Sequence, residues 1–359
     1  MPRSHPGHST HVHPTVTLRR LPAEWAPQSG VMLTWPHART DWGPRLDAVE
    51  PVFAEIASQI ARYQKVLIVV TGTSHRQHVE QQLVRHSCLL TQVVFAIAQS
   101  NDTWARDHGP ITVLASNKLR LLDFHFNGWG NKFPADLDNH INRELQRQGS
   151  FGQTPLDFIN LVLEGGSIDS DGEGGILTTA ACLMNPNRNP GLDQASIEQQ
   201  LTHWLGAERT LWLHHGFLAG DDTDSHIDML ARFCPDNTIT YVKCDDRQDE
   251  HYEELQAMEG ELRQFHTASG LPYSLVPLPM PKAIFDQQGQ RLPASYANFL
   301  IINGAVLVPQ YNDEKDENAR SQIRHCFPDR EIIGIDCRPL IEQHGSLHCL
   351  TMQLPAGVL

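Results

Sequence analysis

The chain keeps returning to one structural unit, and that repetition limits its fold more than any other feature. The unit is an apolar strand, a turn, a polar loop, an amphipathic helix, then another strand. It runs first through GVMLTWPHA, LDAVEPVFAEIASQIARY and KVLIVV (30–70), where Val49, Val52, Phe53, Ile56 and Ile60 fall at helical spacing. It recurs over 109–149, 174–213, 226–279 and 296–336. One such unit cannot bury its own apolar face, so five of them predict radial repetition within a single α/β domain spanning 17–359. A doubly wound sheet would instead alternate single strands with helices, and the hairpins here argue against it. Asn303-Gly304 predicts a type I′ hairpin, and Asn117-Lys118 a second turn. The longest irregular stretch, 278–293, suits a mobile loop over a site.

The 359 residues are 40% hydrophobic, enough for a large core without disulfides or metals. A net charge of −14 without a Lys/Arg run excludes a nucleic-acid partner and favours approach of a small cation. Seven scattered cysteines without C-x-x-C fit a reducing compartment, and no apolar stretch can span a membrane, so a cytoplasmic protein is expected. The opening MPRSHPGHSTHVHPT has no apolar core for a secretory signal and reads as a flexible tail over 1–16. His5, His8, His11 and His13 within it are read as polar tail rather than metal ligands. No G-x-G-x-x-G follows a strand and no P-loop occurs, so no nucleotide site and no cofactor are expected.

Chemistry-bearing residues gather in four separated fragments: NDTWARDHGP (101–110), EGGSIDSDGEG (164–174), DDTDSHIDM (221–229) and GSLHCLTMQLP (345–355). Cys349 starts a short strand after a small-residue turn, which suits either an exposed nucleophile or a buried structural thiol. Cys88, Cys182 and the other cysteines read as structural. His226 and Asp228 are two apart, so on a strand they share a face, as a general acid/base pair or as a solvated edge. Asp107, beside Trp104 and Arg106, suits edge-and-face binding of a flat cation, or else an internal Arg–Asp pair in a capped turn. Glu164 ends an apolar run, where a buried acid is costly unless something cationic meets it. The run Asp169, Asp171, Gly172, Glu173 lacks the spacing of a calcium loop and reads as a hairpin turn. His214-His215 lacks a partnering motif, so no metal site is predicted.

Assembled, these residues resemble the agmatine deiminase family, which is related to bacterial peptidylarginine deiminases. The resemblance runs from LPAEWAPQSGVMLTWP (21–36) through TWARDHGPI, FNGWGNKFPADLDN, EGGSIDSDGEG, CLMNPNRNP, DTDSHIDMLARF and ANFLIINGAVLVPQYND to LHCLTMQLP. It implies a five-bladed pseudo-symmetric α/β propeller, the pentein fold, with its site on the central axis. It further implies Cys349 as nucleophile, His226 as general acid/base, and Asp107 and Asp228 as the grip on a guanidinium. By the same resemblance Glu164 assists, Trp104 lines the pocket, and Asn298 lies near the site. Two stretches depart from the family pattern: His344-Gly345-Ser346 is poorer in glycine, and Asp221-Asp222 falls where members vary, at the substrate's distal end.

The expected activity is hydrolysis of agmatine to N-carbamoylputrescine and ammonia through a covalent Cys349 thiouronium intermediate. Agmatine ends in an amine, for which Asp222 and its acidic neighbours are suited. Arginine or a C-terminal peptidyl arginine would need a cation for its carboxylate, and only Lys132 is available near FNGWGNKF. Arginine or peptidylarginine deimination is the alternative, followed by a non-catalytic binding protein or a metal hydrolase built on His226. Three acids around Cys349 should raise its pKa in the empty enzyme, so thiolate formation is expected to need the substrate or a protonated His226. Acidic enzymes of this size are often homo-oligomers, although no interface is legible.

Overall fold

The computed structural model describes residues 18–359. The predicted tail over 1–16, with its four histidines, lies outside the described residues.

Seventeen strands form five sheets of three or four strands each. The second to fifth sheets are built alike, from a hairpin followed by a helical crossover to a parallel strand. The second holds Ile111–Ala115, Lys118–His125 and Leu156–Val162; the third Ile168–Ser170, Gly175–Thr179 and Arg209–Leu213. The fourth holds Ala231–Cys234, Thr238–Lys243 and Ser274–Pro279; the fifth Leu300–Ile302, Ala305–Gln310 and Glu331–Asp336. The first sheet is different. Its parallel strands Gln28–Thr34, Lys65–Val70 and Val93–Ile97 are completed by Thr351–Pro355, antiparallel to Gln28–Thr34. The extra strand Val93–Ile97 and the helix Thr73–Arg85 before it extend the first unit beyond its predicted end at residue 70.

In the second to fifth sheets burial falls from the hairpin to the parallel strand that follows the crossover. Ala231–Cys234 and Leu300–Ile302 are wholly buried, whereas Ser274–Pro279 and Glu331–Asp336 are mostly half-buried or exposed. The helices bridge neighbouring sheets through one apolar stripe each. Helix Leu46–Ala61 buries Val49, Val52, Phe53, Ile56 and Ile60, as its spacing predicts, and touches Glu331–Asp336 of the fifth sheet. Helix Ile141–Arg147 touches Val93–Ile97, Tyr252–Leu262 touches Arg209–Leu213, and Asp316–Cys326 touches Ser274–Pro279. Helix Gln194–Leu205 reaches the short strand Arg19–Arg20 of the second sheet. Each unit thus packs on the one before it, and the first packs on the fifth.

Two turn predictions shift. The second-sheet hairpin turns on Ser116-Asn117, with φ of 49° and 62°, and Lys118 already pairs with Ala115. Asn303-Gly304 does turn a hairpin, but only Gly304 has a positive φ, 73°, so the turn is not type I′. Asn303 is held otherwise: its side chain exchanges two hydrogen bonds with the Gln28 backbone, of 3.1 and 2.8 Å. The predicted hairpin over 171–174 forms, with Asp171 Oδ1 accepting from the amides of Glu173 and Gly175 at 2.7 Å.

Candidate active site

Each sheet delivers one polar side chain from the segment just ahead of its most buried strand. Asp107 precedes Ile111–Ala115, Glu164 precedes Ile168–Ser170, Asp228 precedes Ala231–Cys234, Asn298 precedes Leu300–Ile302 and Cys349 precedes Thr351–Pro355. The spacing is two to four residues in every case. Five remote stretches therefore converge because the same position recurs in five repeated units.

The expected strand geometry for His226 and Asp228 is not what forms. His226 caps a single 3-10 turn, Ile227–Met229, that contains Asp228, and the strand begins only at Ala231. Asp224 and Ser225 just before it take φ of 67° and 65°, which bends the chain sharply. Asp221 holds that bend, with Oδ1 accepting from the Thr223 hydroxyl at 2.6 Å and Oδ2 from the Ser225 amide at 2.7 Å. Both side chains nevertheless line one cavity of about 150 Å³, together with Cys349, Asp107, Trp104 and Asp222. Six aspartates line it and no lysine or arginine does.

Cys349 is buried, 7% exposed, and its sulfur lies 3.2 Å from Asn298 Nδ2 and 3.6 Å from Asp228 Oδ2. Burial, then the charges of Asp228 and Asp107, push its thiol well above the ordinary range. The expected direction holds, with burial as the larger cause and Glu164 not among the contributors. His226 Nδ1 stands 3.7 Å from Asp107 Oδ1, and its Nε2 is buried without a partner. Burial depresses this imidazole to about 3 despite the opposing pull of Asp228, so it is neutral in the empty cavity. A protonated His226 is therefore not available to form the thiolate in advance.

Asp107 uses both oxygens: Oδ2 accepts from Trp129 Nε1 at 3.0 Å and Oδ1 from the Gly166 amide at 2.9 Å. Burial and the neighbouring acids raise it well above the carboxylate range. The alternative Arg–Asp pair within this turn does not form, because Arg106 turns away to Glu24 at 3.0 Å. Trp104 donates to Asp102 Oδ2 at 3.0 Å and lies flat enough on Gly345 that a Cβ there would come within 2.2 Å of its ring.

Glu164 meets a cation, as its burial demands, but the cation is internal. Arg188 Nε donates to both of its oxygens at 3.0 and 3.1 Å, and neither side chain is exposed. Glu164 does not line the cavity. Arg188 continues to Asp224 Oδ2 at 2.6 Å, and Lys132 reaches Asp224 Oδ1 at 2.8 Å and the Asp222 carbonyl at 2.6 Å. Glu164, Cys182 and His226 bring ligand-type atoms within 4.8 Å of one another, the one such group among the described residues. The two hydrogen bonds from Arg188 already neutralise its carboxylate, so this trio does not suit a metal ion.

A buried thiol, a neutral imidazole and a cavity wall whose carboxylates face no lysine or arginine narrow the relatives to be expected, and a family model decides among them. The model for the Porphyromonas-type peptidyl-arginine deiminase matches residues 20–355. The chain belongs to that family. It is a hydrolase acting on the carbon–nitrogen bonds of linear amidines. This deiminase is 32% identical to the agmatine deiminase of Pseudomonas aeruginosa, over 96% of its own length and 98% of the relative's. It is 37% identical to a cysteine-to-serine variant of the C. jejuni agmatine deiminase solved with substrate bound, with a TM-score of 0.89 over 97% and 100% of the two chains. A Porphyromonas gingivalis structure, provisionally called an arginine deiminase, is 52% identical, with a TM-score of 0.90 over 95% and 99%.

Several groups that complete the site carried no sequence signal of their own. Arg188 lies in the quoted NPNRNP and Trp129 in FNGWGN, yet nothing local assigns their partners. His348 adjoins Cys349, and Glu24 lies some three hundred residues from it; both belong to the same buried network.

Proposed function

We propose that this deiminase hydrolyses agmatine to N-carbamoylputrescine and ammonia, with the five sheets as blades of one closed propeller domain over 17–359. The observation that carries the substrate reading is a cavity wall of six aspartates without a lysine or arginine. Such a wall favours a ligand cationic at both ends and disfavours one bearing a carboxylate. Lys132, the one cation expected near the mouth, is committed to Asp224 and the Asp222 carbonyl. Within the acidic run, Asp221 is used by the loop and Asp224 by Arg188 and Lys132, which leaves the Asp222 carboxylate for the distal ammonium.

In this reading Asp107 and Asp228 hold the guanidinium edge and Trp104 its face, with Glu164 acting from behind through Arg188. The bound cation lowers the cost of a thiolate, and Cys349 loses its proton to the neutral His226. The sulfur adds to the guanidinium carbon. Protonated His226 then gives the proton to the departing nitrogen, and the carbon–nitrogen bond breaks to release ammonia. A thiouronium intermediate remains on Cys349. His226 next accepts a proton from water, the oxygen adds to the same carbon, and breaking the carbon–sulfur bond frees the ureido product and the thiol.

Ammonia release from agmatine, arginine and a peptide ending in arginine, in wild type and Cys349→Ala, tests the reading. Agmatine should be preferred, the variant inactive, and a chelator without effect. Preferential turnover of either carboxylate-bearing substrate would overturn the substrate assignment. Unfolding in more than one cooperative transition would contradict the single domain.

A further inference from the structure

His348 precedes the nucleophile but does not line the cavity. Its imidazole, 1% exposed, stands between two carboxylates: Nδ1 lies 2.8 Å from Asp228 Oδ2, and Nε2 lies 2.8 Å from Glu24 Oε1. Glu24 is gripped in turn by Arg106 at 3.0 Å, by Gln353 at 2.9 Å and by Arg232. Two nitrogen–oxygen contacts of this length need two protons, whereas a neutral imidazole carries one. The group Asp228–His348–Glu24 therefore holds one proton more than a neutral imidazole between two carboxylates. Glu24, faced by two guanidiniums, is the least favourable place for it. That leaves it in the contact between His348 and Asp228, with the imidazole's other N–H on Glu24.

We infer that His348 and Glu24 are positioning residues for Asp228: the imidazole occupies one carboxylate oxygen, and the guanidinium-backed Glu24 fixes the imidazole, so that Oδ1 of Asp228 alone is left for the substrate's guanidinium. This inference rests on the proposed reading of the cavity as a guanidinium site. Asp228 Oδ1 is buried with no hydrogen-bond partner, whereas each oxygen of Asp107 already accepts one hydrogen bond and keeps a second lone pair for the guanidinium. A buried, bare carboxylate oxygen is costly until a donor arrives.

The charges around His348 come from several elements. Asp228 lies ahead of the fourth sheet, Glu24 ahead of the first, Arg106 on Ala105–His108, Arg232 on Ala231–Cys234, and Asp169 on Ile168–Ser170 pairs with Arg232 at 3.2 Å. Burial and the two guanidiniums push the imidazole below its ordinary value, while Glu24 and the hydrogen bond to Asp228 pull it upward. Burial would raise Asp228, but the hydrogen bond and charge of His348 outweigh it and hold the acid below its ordinary value. Asp107 has no such backing and moves the opposite way. Two acids on one cavity are thus displaced in opposite directions, and only Asp228 accepts a hydrogen bond from an imidazole.

The test compares Glu24→Gln and His348→Gln with wild type, after thermal melts show that each is folded. Steady-state kinetics with agmatine across pH are paired with calorimetry of agmatine binding in a Cys349→Ser background. Glu24→Gln should raise KM and the calorimetric Kd about tenfold, with kcat changing less. It should also move the acid limb of kcat/KM to higher pH, because Asp228 then protonates more readily. His348→Gln should do both more strongly. Folded variants with wild-type KM and an unmoved acid limb, or with only kcat reduced, would overturn the inference while leaving the function intact. A wild type that turns over no guanidino compound would overturn the functional reading and this inference with it.

Discussion

The sulfur of Cys349 lies 3.6 Å from the anionic Asp228, and no lysine or arginine lines the cavity they share. The thiol therefore rests beside a charge that opposes its ionisation. A raised thiol pKa means that the thiolate is scarce at neutral pH and increases as pH rises through that value. Alkylation of Cys349 by neutral 2-chloroacetamide, followed by mass spectrometry, should be slow at pH 7 and still accelerating above pH 9. The cationic 2-chloroacetamidine carries its own counter-charge and should react at least about tenfold faster at pH 7. Equal rates for the two reagents at neutral pH would show that the thiolate forms without a cation.

Gly166 leaves a space at the meeting point of the site. A Cβ there would stand 2.7 Å from His226 Nδ1, 2.8 Å from Asp107 Oδ1 and 3.2 Å from Asp228 Oδ2. Gly166 has no positive φ, so alanine suits the backbone and the damage falls on the site. Gly166→Ala should lower kcat/KM by about a hundredfold or more while the melting temperature shifts little. A variant with near-normal kcat/KM would mean that these three side chains do not act as one unit.

Arg188 joins Glu164 to Asp224 at the base of the loop that carries His226. Arg188→Met leaves Glu164 buried without its cation, and the expected loss of stability is about 3–5 kcal/mol, read by urea denaturation. Pairing it with Glu164→Leu should recover much of that loss, since the unpaired charge is then gone. A single variant as stable as wild type would remove Arg188 from its structural role.

What could be read along the chain, and what could not, divides by range. The apolar spacing of Val49, Val52, Phe53, Ile56 and Ile60 is local, and the helix forms as predicted. The five units are visible because each repeats the same order of elements within a short span. The geometry of His226 and Asp228 was missed because the bend just ahead of His226 is held by Asp221 binding the Ser225 amide, a contact with no periodic signature. Asn303 departs from its turn type because its side chain is claimed by Gln28, 275 residues away. Likewise the cation for Glu164 could be anticipated from burial, but its identity as Arg188 rather than substrate could not. Glu24 and His348 meet because Thr351–Pro355 pairs with Gln28–Thr34, and no short window of sequence contains both.

The strand Thr351–Pro355, which completes the first sheet, follows every other strand of the five sheets in chain order. Until it is in place, Gln28–Thr34 lacks its antiparallel neighbour and Cys349 lacks its position beside Asn298 and Asp228. A product terminated before residue 355 is therefore expected to be inert as well as incomplete. Fusion partners or tags placed beyond that strand should be attached through linkers long enough not to pull it from Gln28–Thr34.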